Sequence, residues 1–198
     1  MISARDNILD RIRNSRVPAT DKPEIPDFSR LSPADFIPQF RRGLEAMAGV
    51  LIDQRPTDFA AFLRQKFPEA KNICSAVPEF AGNSTPERYS NWASAADIDV
   101  TIVRSPLGIA ETGSVLLSEN DLRVNTIGFL AHDIVVLLDP ADIVENLHIA
   151  YRHPAFSNTA YSVLMTGPSG SGDIGGRVVH PAQGVTTLTV VLWPRSTQ

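Results

Sequence analysis

Two glycine-punctuated segments carry the residues best suited to binding or chemistry. The first spans residues 108–114 (Gly-Ile-Ala-Glu-Thr-Gly-Ser) and the second residues 167–173 (Gly-Pro-Ser-Gly-Ser-Gly-Asp), each beside a strand-like apolar run. Glycine permits positive φ and close backbone approach, while hydroxyls and freed N–H groups can line an anion-sized concavity. The sequence therefore predicts two ligand-binding loops.

Glu111, in the first segment, is the candidate catalytic residue. A carboxylate at a strand end can act as a general base, orient a ligand hydroxyl, or attack as a nucleophile. Thr112, Gly113 and Ser114 beside it are candidate ligand contacts. The alternative is that Glu111 only ties down its own turn, because a carboxylate with apolar neighbours needs a partner of some kind.

The second segment predicts a cradle for a phosphate or carboxylate, formed by Gly167, Ser169, Gly170 and Ser171, with Asp173 at its end. It has neither the lysine of a Walker loop nor the spacing of a dinucleotide fingerprint, so no cofactor is named by this pattern. An ordinary glycine-rich turn is the alternative.

Four further residues are weaker candidates. His180 follows the second segment and could contact a ligand near neutral pH, although histidine at such a place is more often structural. Glu119 lies in a Ser-Glu-Asn triplet like the nucleophile segment of some coenzyme A transferases, but Asp121 replaces the glycine of that motif. Arg104 and Arg123 could place positive charge near an anionic ligand.

Composition excludes several classes of function. The chain has 198 residues, 43% of them hydrophobic, and a formal net charge of -4, which fits one globular unit and argues against nucleic acid as a partner. Cys74 is the one cysteine, so no internal disulfide and no thiolate cluster for zinc or iron–sulfur is possible, and the four histidines show no metal-ligand spacing. The single cysteine fits a reducing, cytoplasmic setting, and we expect no membrane insertion because the apolar runs are short.

Periodicity predicts a helical N-terminal region followed by an α/β domain. Residues 4–14 show helical spacing, and the prolines between residues 16 and 32 predict an extended arm. We place the arm in residues 1–32 and the α/β domain in residues 33–198. Further helices are predicted to start at Ser32-Pro33 or, alternatively, at Pro38, to start at Thr57-Asp58, and to run from Asp139-Pro140 to Ala150.

Six short apolar runs, rich in β-branched residues, predict buried strands. They lie at residues 72–77, 100–103, 115–117, 134–138, 162–165 and 187–192. Helices and strands together predict a mixed sheet flanked by helices. We expect the two glycine segments to meet at one edge of that sheet and to enclose a shared pocket.

The chain resembles the lactate-utilisation (LUD) domain family, and within it the lactate-utilisation protein C group. The likeness covers roughly residues 95–192, and its sharpest parts are Ala-Glu-Thr-Gly at 110–113, the strand at 134–138 followed by Ile143-Val144, and Gly-Pro-Ser at 167–169 followed by Asp173-Ile174. The resemblance implies a three-layer α/β/α sandwich with a mostly parallel central sheet, as in glucosamine-phosphate deaminase, ribose-phosphate isomerase and coenzyme A transferases.

The same resemblance implies an accessory subunit that works with separate iron–sulfur proteins in oxidising L-lactate, or a related organic acid, to pyruvate. Two alternatives stay open: a stand-alone enzyme acting on acyl-coenzyme A or sugar phosphates through Glu111 or Glu119, and a non-catalytic partner or small-ligand-binding protein. The second segment lacks the family's Arg-Thr and final Glu, and the later His-Gly-Pro turn is altered around His180. These departures imply a changed ligand or a lost activity.

Overall fold

The chain folds into two β-sheets packed together with short helices. The computed structural model describes residues 3–17, 20–21, 23–26, 28–89, 91–172 and 175–195. The helices are α1 Ala4–Asn14, α2 Phe36–Ala46, α3 Phe59–Lys66, α4 Trp92–Ala95, α5 Glu119–Leu122, α6 Leu147–Ala150 and α7 Pro154–Ser157. The strands are β1 Val50–Ile52, β2 Ile73–Ser75, β3 Val100–Ser105, β4 Leu107–Ile109, β5 Ser114–Ser118, β6 Asp133–Leu138, β7 Ile143–Val144, β8 Ser162–Met165 and β9 Thr187–Leu192.

The central sheet has five strands in the order β1-β9-β6-β3-β2, and every pairing in it is parallel. The inner strands β3, β6 and β9 each have six residues, and β6 and β9 consist mostly of apolar residues, as a strand covered on both faces requires. In β6 the residues from Ile134 to Leu138 have no exposed surface. The mixed α/β fold with a mostly parallel central sheet is therefore confirmed.

Successive side chains along each strand point to opposite faces of the central sheet, which divides the core into two clusters. On one face, Phe59 and Leu63 of α3 pack against alternate strand residues such as Ile102. On the other face, Phe40 and Leu44 of α2 lie in a second cluster that also contains residues of β5. The side chains at i and i+2 of a strand share a face, which is why each strand serves both clusters.

The second sheet has four strands in the order β7-β4-β5-β8. Strands β4, β5 and β8 are antiparallel neighbours, whereas β7 pairs with β4 in parallel. The outer face of this sheet is covered by α6 and α7, which contribute Ala150, Leu147 and Phe156 to a third apolar cluster. Sequence analysis predicted β5 and β8 but no separate sheet.

One predicted helix is wrong and others are shorter than expected. The segment from Asp139 to Ala150 begins with a 3-10 turn at Pro140–Asp142, continues as β7, and becomes helical only at α6. The helix fails because Ile143 and Val144, both β-branched, pair with Gly108 and Ile109 of β4. Helix α1 is confirmed, with Ser3 accepting a hydrogen bond from the Asp6 amide at its N-terminus.

Helix α2 begins at Phe36, so Pro38 lies in its first turn, where a backbone N–H has no helical acceptor. It ends at Ala46, and the chain then forms β1, which sequence analysis did not predict. No helix in the described part of the chain is long and apolar enough to cross a bilayer.

Candidate functional site

Both glycine segments lie at the same edge of the four-stranded sheet. Strand β4 ends at Ile109 opposite Ser114, where β5 begins, and β5 pairs with β8, which ends at Met165. The parallel pair β4 and β7 continues past its last residues, because the Ala110 amide donates to the Val144 carbonyl at 2.8 Å. The ends of these four strands therefore place residues 110–113, 145–146 and 166–169 at one edge of the four-stranded sheet.

Helix α2 lies across this edge, and two glycines of the segments pack directly against it or against Met47, the residue that follows it. Gly113 has a φ of +68°, and a Cβ there would lie 2.0 Å from the Leu44 nitrogen. Gly167 has a φ of +83°, and a Cβ there would lie 1.9 Å from the Met47 carbonyl oxygen. The close approach that these glycines permit is thus made by the protein's own helix.

A chain of hydroxyls joins the two segments beneath α2. Ser114, only 4% exposed, shares a 2.7 Å hydrogen bond with Thr112 and a second hydrogen bond with Thr166. Thr112 and Ser114, predicted as ligand contacts, therefore bond to one another and, through Ser114, to Thr166, the residue just before the second segment. Their hydroxyls fix the relative position of the two loops.

Glu111 lines a cavity of about 450 Å³ at the N-terminal end of α2. We call it the arm cavity, because three of its lining residues come from the extended arm before α2. Its lining residues are Phe28, Arg30, Leu31, Gln39, Glu111, Glu145, Asn146 and His148. Positive charge, negative charge, side-chain amides and aromatic surface thus meet in one cavity.

The Glu111 carboxylate is exposed but positioned from one side. Its Oε2 accepts a hydrogen bond from the Leu147 amide at 3.0 Å, and its own amide donates to the Glu145 carbonyl at 2.9 Å. Its Oε1 makes no hydrogen bond to a residue that the structure describes. The Leu147 amide therefore orients Oε2 of Glu111, while Oε1 can accept a hydrogen bond from a donor group of a ligand.

The arm is held in place by a buried carboxylate. Oε1 of Glu145, which is 6% exposed, accepts hydrogen bonds from the amides of Arg30 and Leu31, the latter at 2.8 Å. Phe28 stacks on His148 with 4.8 Å between the ring centroids. The Arg30 guanidinium forms no ion pair with any described residue, so its charge is available to a ligand.

The second segment folds against the return segment 179–185 and lines other cavities. The Ser169 hydroxyl accepts from the Gln183 amide at 3.0 Å, and Ser171 and Val179 exchange backbone hydrogen bonds. One cavity of about 440 Å³, the loop cavity, is lined by Phe129, Leu130, Leu164, Met165, Thr166, Gly167, Pro168, Ser169, Gln183, Gly184 and Val185. Ser169, Gly170 and Ser171 also line a third cavity of about 680 Å³ with Val179, Pro181, Ala182 and Gln183.

The arm cavity and the loop cavity lie at opposite ends of α2. Gln39 lines the first and Met47 packs on Gly167 of the second, and eight helical residues correspond to about 12 Å. Sequence analysis expected one shared pocket. Glu111 lines the arm cavity, whereas Gly167 and Ser169 of the second segment line the loop cavity, and Asp173 lies outside the described residues.

His180 is exposed at the second segment. Its Nδ1 lies 3.2 Å from the Ser169 carbonyl oxygen, and its ring occupies the space that a Cβ on Gly170 would need. It supports the loop from outside and is not part of the arm cavity.

The other charged candidates are engaged by the protein. Both Glu119 oxygens accept backbone amides, from Ala160 at 2.7 Å and from Tyr161 at 2.9 Å, and these hydrogen bonds hold the pKa of Glu119 below its ordinary value. Arg104 pairs with Glu79 and donates to the Trp193 carbonyl, while Arg123 pairs with Glu87. None of these three side chains lines the arm cavity.

Cys74 is a core residue. Its side chain has no exposed surface, and burial raises the pKa of the thiol to about 11. Only the thiolate binds metals or attacks electrophiles, so at neutral pH Cys74 does neither. Among the residues described, no three acidic, histidine or cysteine side chains are grouped as metal ligands.

Sequence reasoning missed Arg30, Glu145 and His148. Arg30 lies in the proline-containing stretch interpreted as a linker, and the other two lie in the segment interpreted as a helix. Glu145 directly follows the β-branched pair Ile143-Val144, and His148 comes three residues later; this was the available signal, because residues after parallel strands meet at one edge. For Arg30 the sequence offers no comparable signal.

Comparisons with known proteins agree with this architecture. The family model of the LUD domain matches residues 50–193, so the chain belongs to the LUD-domain family. Among solved structures it is similar to a DUF162 family protein from Deinococcus radiodurans, with a TM-score of 0.62, 14% identity, and coverage of 82% of this chain and 99% of that one. A search of curated proteins gave no match.

Proposed function

We propose that this LUD-domain protein binds a 2-hydroxy acid, L-lactate or a close relative, in the arm cavity, as the accessory subunit of an organic-acid oxidation. The observation that carries the proposal is the placement of Arg30 in one cavity with Glu111. Such an acid bears a carboxylate and a hydroxyl on adjacent carbons. A guanidinium without an ion pair, and a carboxylate with one open oxygen, among the described residues suit these two groups.

Each group of the ligand has a counterpart in the cavity. The ligand carboxylate accepts charge-assisted hydrogen bonds from Arg30, for which the planar guanidinium is well shaped. The ligand hydroxyl donates to Oε1 of Glu111, whose other oxygen the Leu147 amide holds. Gln39 and Asn146 add side-chain amides to the walls, and the Phe28 and His148 rings face the remaining carbon atoms.

The electrons must leave through another protein. Oxidation of a 2-hydroxy acid to a 2-keto acid breaks the O–H and C2–H bonds, forms the C=O double bond, and releases two protons and two electrons. Glu111 can accept the hydroxyl proton, while the C2 hydrogen leaves as a proton to solvent and its two electrons pass to the acceptor protein. The lone, fully buried Cys74 cannot hold an iron–sulfur cluster, which needs several thiolates. The proposal therefore assigns electron acceptance to separate iron–sulfur subunits.

Isothermal titration with L-lactate tests the binding site. We expect Arg30→Ala to weaken binding about tenfold or more, because a hydrogen bond to a charged group contributes roughly 1.5–3 kcal/mol. Arg104→Ala is the matched control, since its guanidinium is already paired with Glu79, and it should leave the Kd unchanged. Equal binding by the Arg30→Ala variant, or no binding of L-lactate to the unaltered protein, would contradict the proposal.

Reconstitution tests the accessory role. With an iron–sulfur partner present, L-lactate should reduce the cluster only when this chain is added, and electron paramagnetic resonance follows that reduction. Cluster reduction that is the same with and without the chain would show that it has no part in the reaction.

A second function is favoured by the open oxygen of Glu111. With His148 in the same cavity, Glu111 could serve as the base or nucleophile of a stand-alone enzyme for acyl-coenzyme A or sugar phosphates. Glu119 suits this chemistry poorly, because backbone amides occupy both of its oxygens. Such an activity should be lost in Glu111→Gln and kept in Glu119→Gln.

A further inference from the structure

We infer that Glu145 is a positioning residue that fastens the arm over the Glu111 cavity, so that residues 28–31 act as a strap supplying the ligand-binding cation. This inference rests on the proposed function, because Arg30 matters only if an anionic group enters the cavity. It assigns recognition of the ligand carboxylate to a segment before α2. The LUD family model begins only at residue 50.

The anchoring contact joins distant parts of the sequence. A single carboxylate oxygen of Glu145 accepts two successive backbone amides, those of Arg30 and Leu31, which lie more than 110 residues earlier in the chain. Two charge-assisted hydrogen bonds to one oxygen fix the direction of the backbone between them. The Arg30 side chain therefore leaves the backbone at a defined place on the cavity wall.

A second, independent contact holds the strap two residues earlier. The ring of Phe28 stacks on His148, which belongs to α6 and follows the Glu145 segment. Offset aromatic stacking contributes about 0.5–1.5 kcal/mol beyond the area that it buries. Glu145 contacts the arm at Arg30 and His148 contacts it at Phe28, so the arm is held on both sides of Ser29.

Glu145 also stands next to Glu111 across the paired ends of β4 and β7. The Glu111 amide donates to the Glu145 carbonyl. Any movement of the paired ends of β4 and β7 therefore moves both carboxylates. The strand ends hold Glu111, and Glu145 brings Arg30 to it. Without the strap the cavity keeps the carboxylates of Glu111 and Glu145 and loses the Arg30 guanidinium, the group that would pair with an anionic ligand.

Hydrogen–deuterium exchange of the full chain tests the strap without any ligand. We expect the amides of Arg30 and Leu31 to exchange at least tenfold more slowly than those of Glu24 and Ile25 in the same arm, because among these four described residues it is Arg30 and Leu31 that donate to Glu145. Glu145→Ala should abolish this difference. Glu145→Gln, which keeps an acceptor oxygen, should retain part of it. Equal exchange in the two parts of the arm of the unaltered protein would overturn the inference.

A double-mutant cycle on L-lactate affinity tests whether Glu145 acts through Arg30. Glu145→Ala and Arg30→Ala should weaken binding to a similar extent, and the double variant should bind no more weakly than Arg30→Ala alone. Additive losses would overturn the positioning role. Glu45→Ala is the control, because Glu45 is an exposed carboxylate of α2 that pairs with Arg41 and does not line the cavity.

The two experiments separate the two claims. If L-lactate fails to bind the unaltered protein while Arg30 and Leu31 remain protected through Glu145, the strap stands and the proposed ligand is wrong. If L-lactate binds with an affinity that Glu145→Ala does not change, the proposed function stands and the strap is wrong.

Discussion

The Leu147 amide donates to Oε2 of Glu111 at 3.0 Å, while Oε1 has no hydrogen-bond partner among the described residues. The same carboxylate thus ties the end of β4 to the start of α6 and presents an acceptor to the arm cavity. Sequence analysis treated a structural and a functional role of Glu111 as alternatives. The geometry allows both, and two substitutions separate them.

Glu111→Ala and Glu111→Gln should differ in stability. Glutamine keeps an oxygen that can accept from Leu147, whereas alanine leaves that amide without its acceptor, at a cost of about 1 kcal/mol. We expect Glu111→Ala to lower the free energy of unfolding by that amount in urea titrations and Glu111→Gln to change it little. An equal and large loss of stability in both variants would show that the negative charge of Glu111 itself ties the end of β4 to the start of α6.

The glycines facing α2 should be intolerant of a side chain. In Gly167→Ala the new Cβ would meet the Met47 carbonyl oxygen at a positive φ, so we expect the free energy of unfolding to fall by roughly 2 kcal/mol or more. Gly172→Ala is the matched control, because a Cβ there has no neighbour within 4 Å. Similar thermal denaturation of the two variants would contradict the packing of this segment on α2.

Glu119 should titrate below its ordinary range. The amides of Ala160 and Tyr161 stabilise its ionised form in the folded state, so its pKa is lower folded than unfolded. Its stabilising contribution is therefore complete above the unfolded pKa, near 4.3, and is lost as pH falls through the lower folded value. Carbon-detected NMR titration measures this pKa directly, and a value above 4.3 would refute the assignment.

Cys74 should be unreactive in the folded protein. Because burial raises the pKa of its thiol to about 11, almost no thiolate exists at pH 7.5. We expect a thiol reagent such as dithionitrobenzoate to label Cys74 only after denaturation. Above about pH 9 the unfolded thiol ionises while the folded one does not, so stability should decline with rising pH in that range. Rapid labelling of the native protein would contradict the burial of Cys74.

Strands β6 and β9 could be predicted because their signal is local. Each is a continuous run of β-branched and other apolar residues, long enough to exclude other interpretations. Strand β7 could not, since its two residues fall within a segment that also shows helical spacing. Only the pairing with Gly108 and Ile109, some 35 residues away, makes it a strand.

The candidate site was partly predictable, because some of its residues have a local sequence signal and others do not. Glu111 is marked by its glycine-containing neighbours, and its strand-end position follows from the apolar run beside it. Arg30 joins the site only because Glu145 binds its amide from the far part of the chain. A contact of that kind depends on the completed fold and leaves no trace in the residues around Arg30.

A crystal structure of the protein with L-lactate tests the central claim most directly. We predict that lactate occupies the arm cavity, with its carboxylate on the Arg30 guanidinium and its hydroxyl within hydrogen-bond distance of Oε1 of Glu111. Lactate bound in the loop cavity beside Gly167 and Ser169, or an empty arm cavity in crystals grown at saturating L-lactate, would contradict the account.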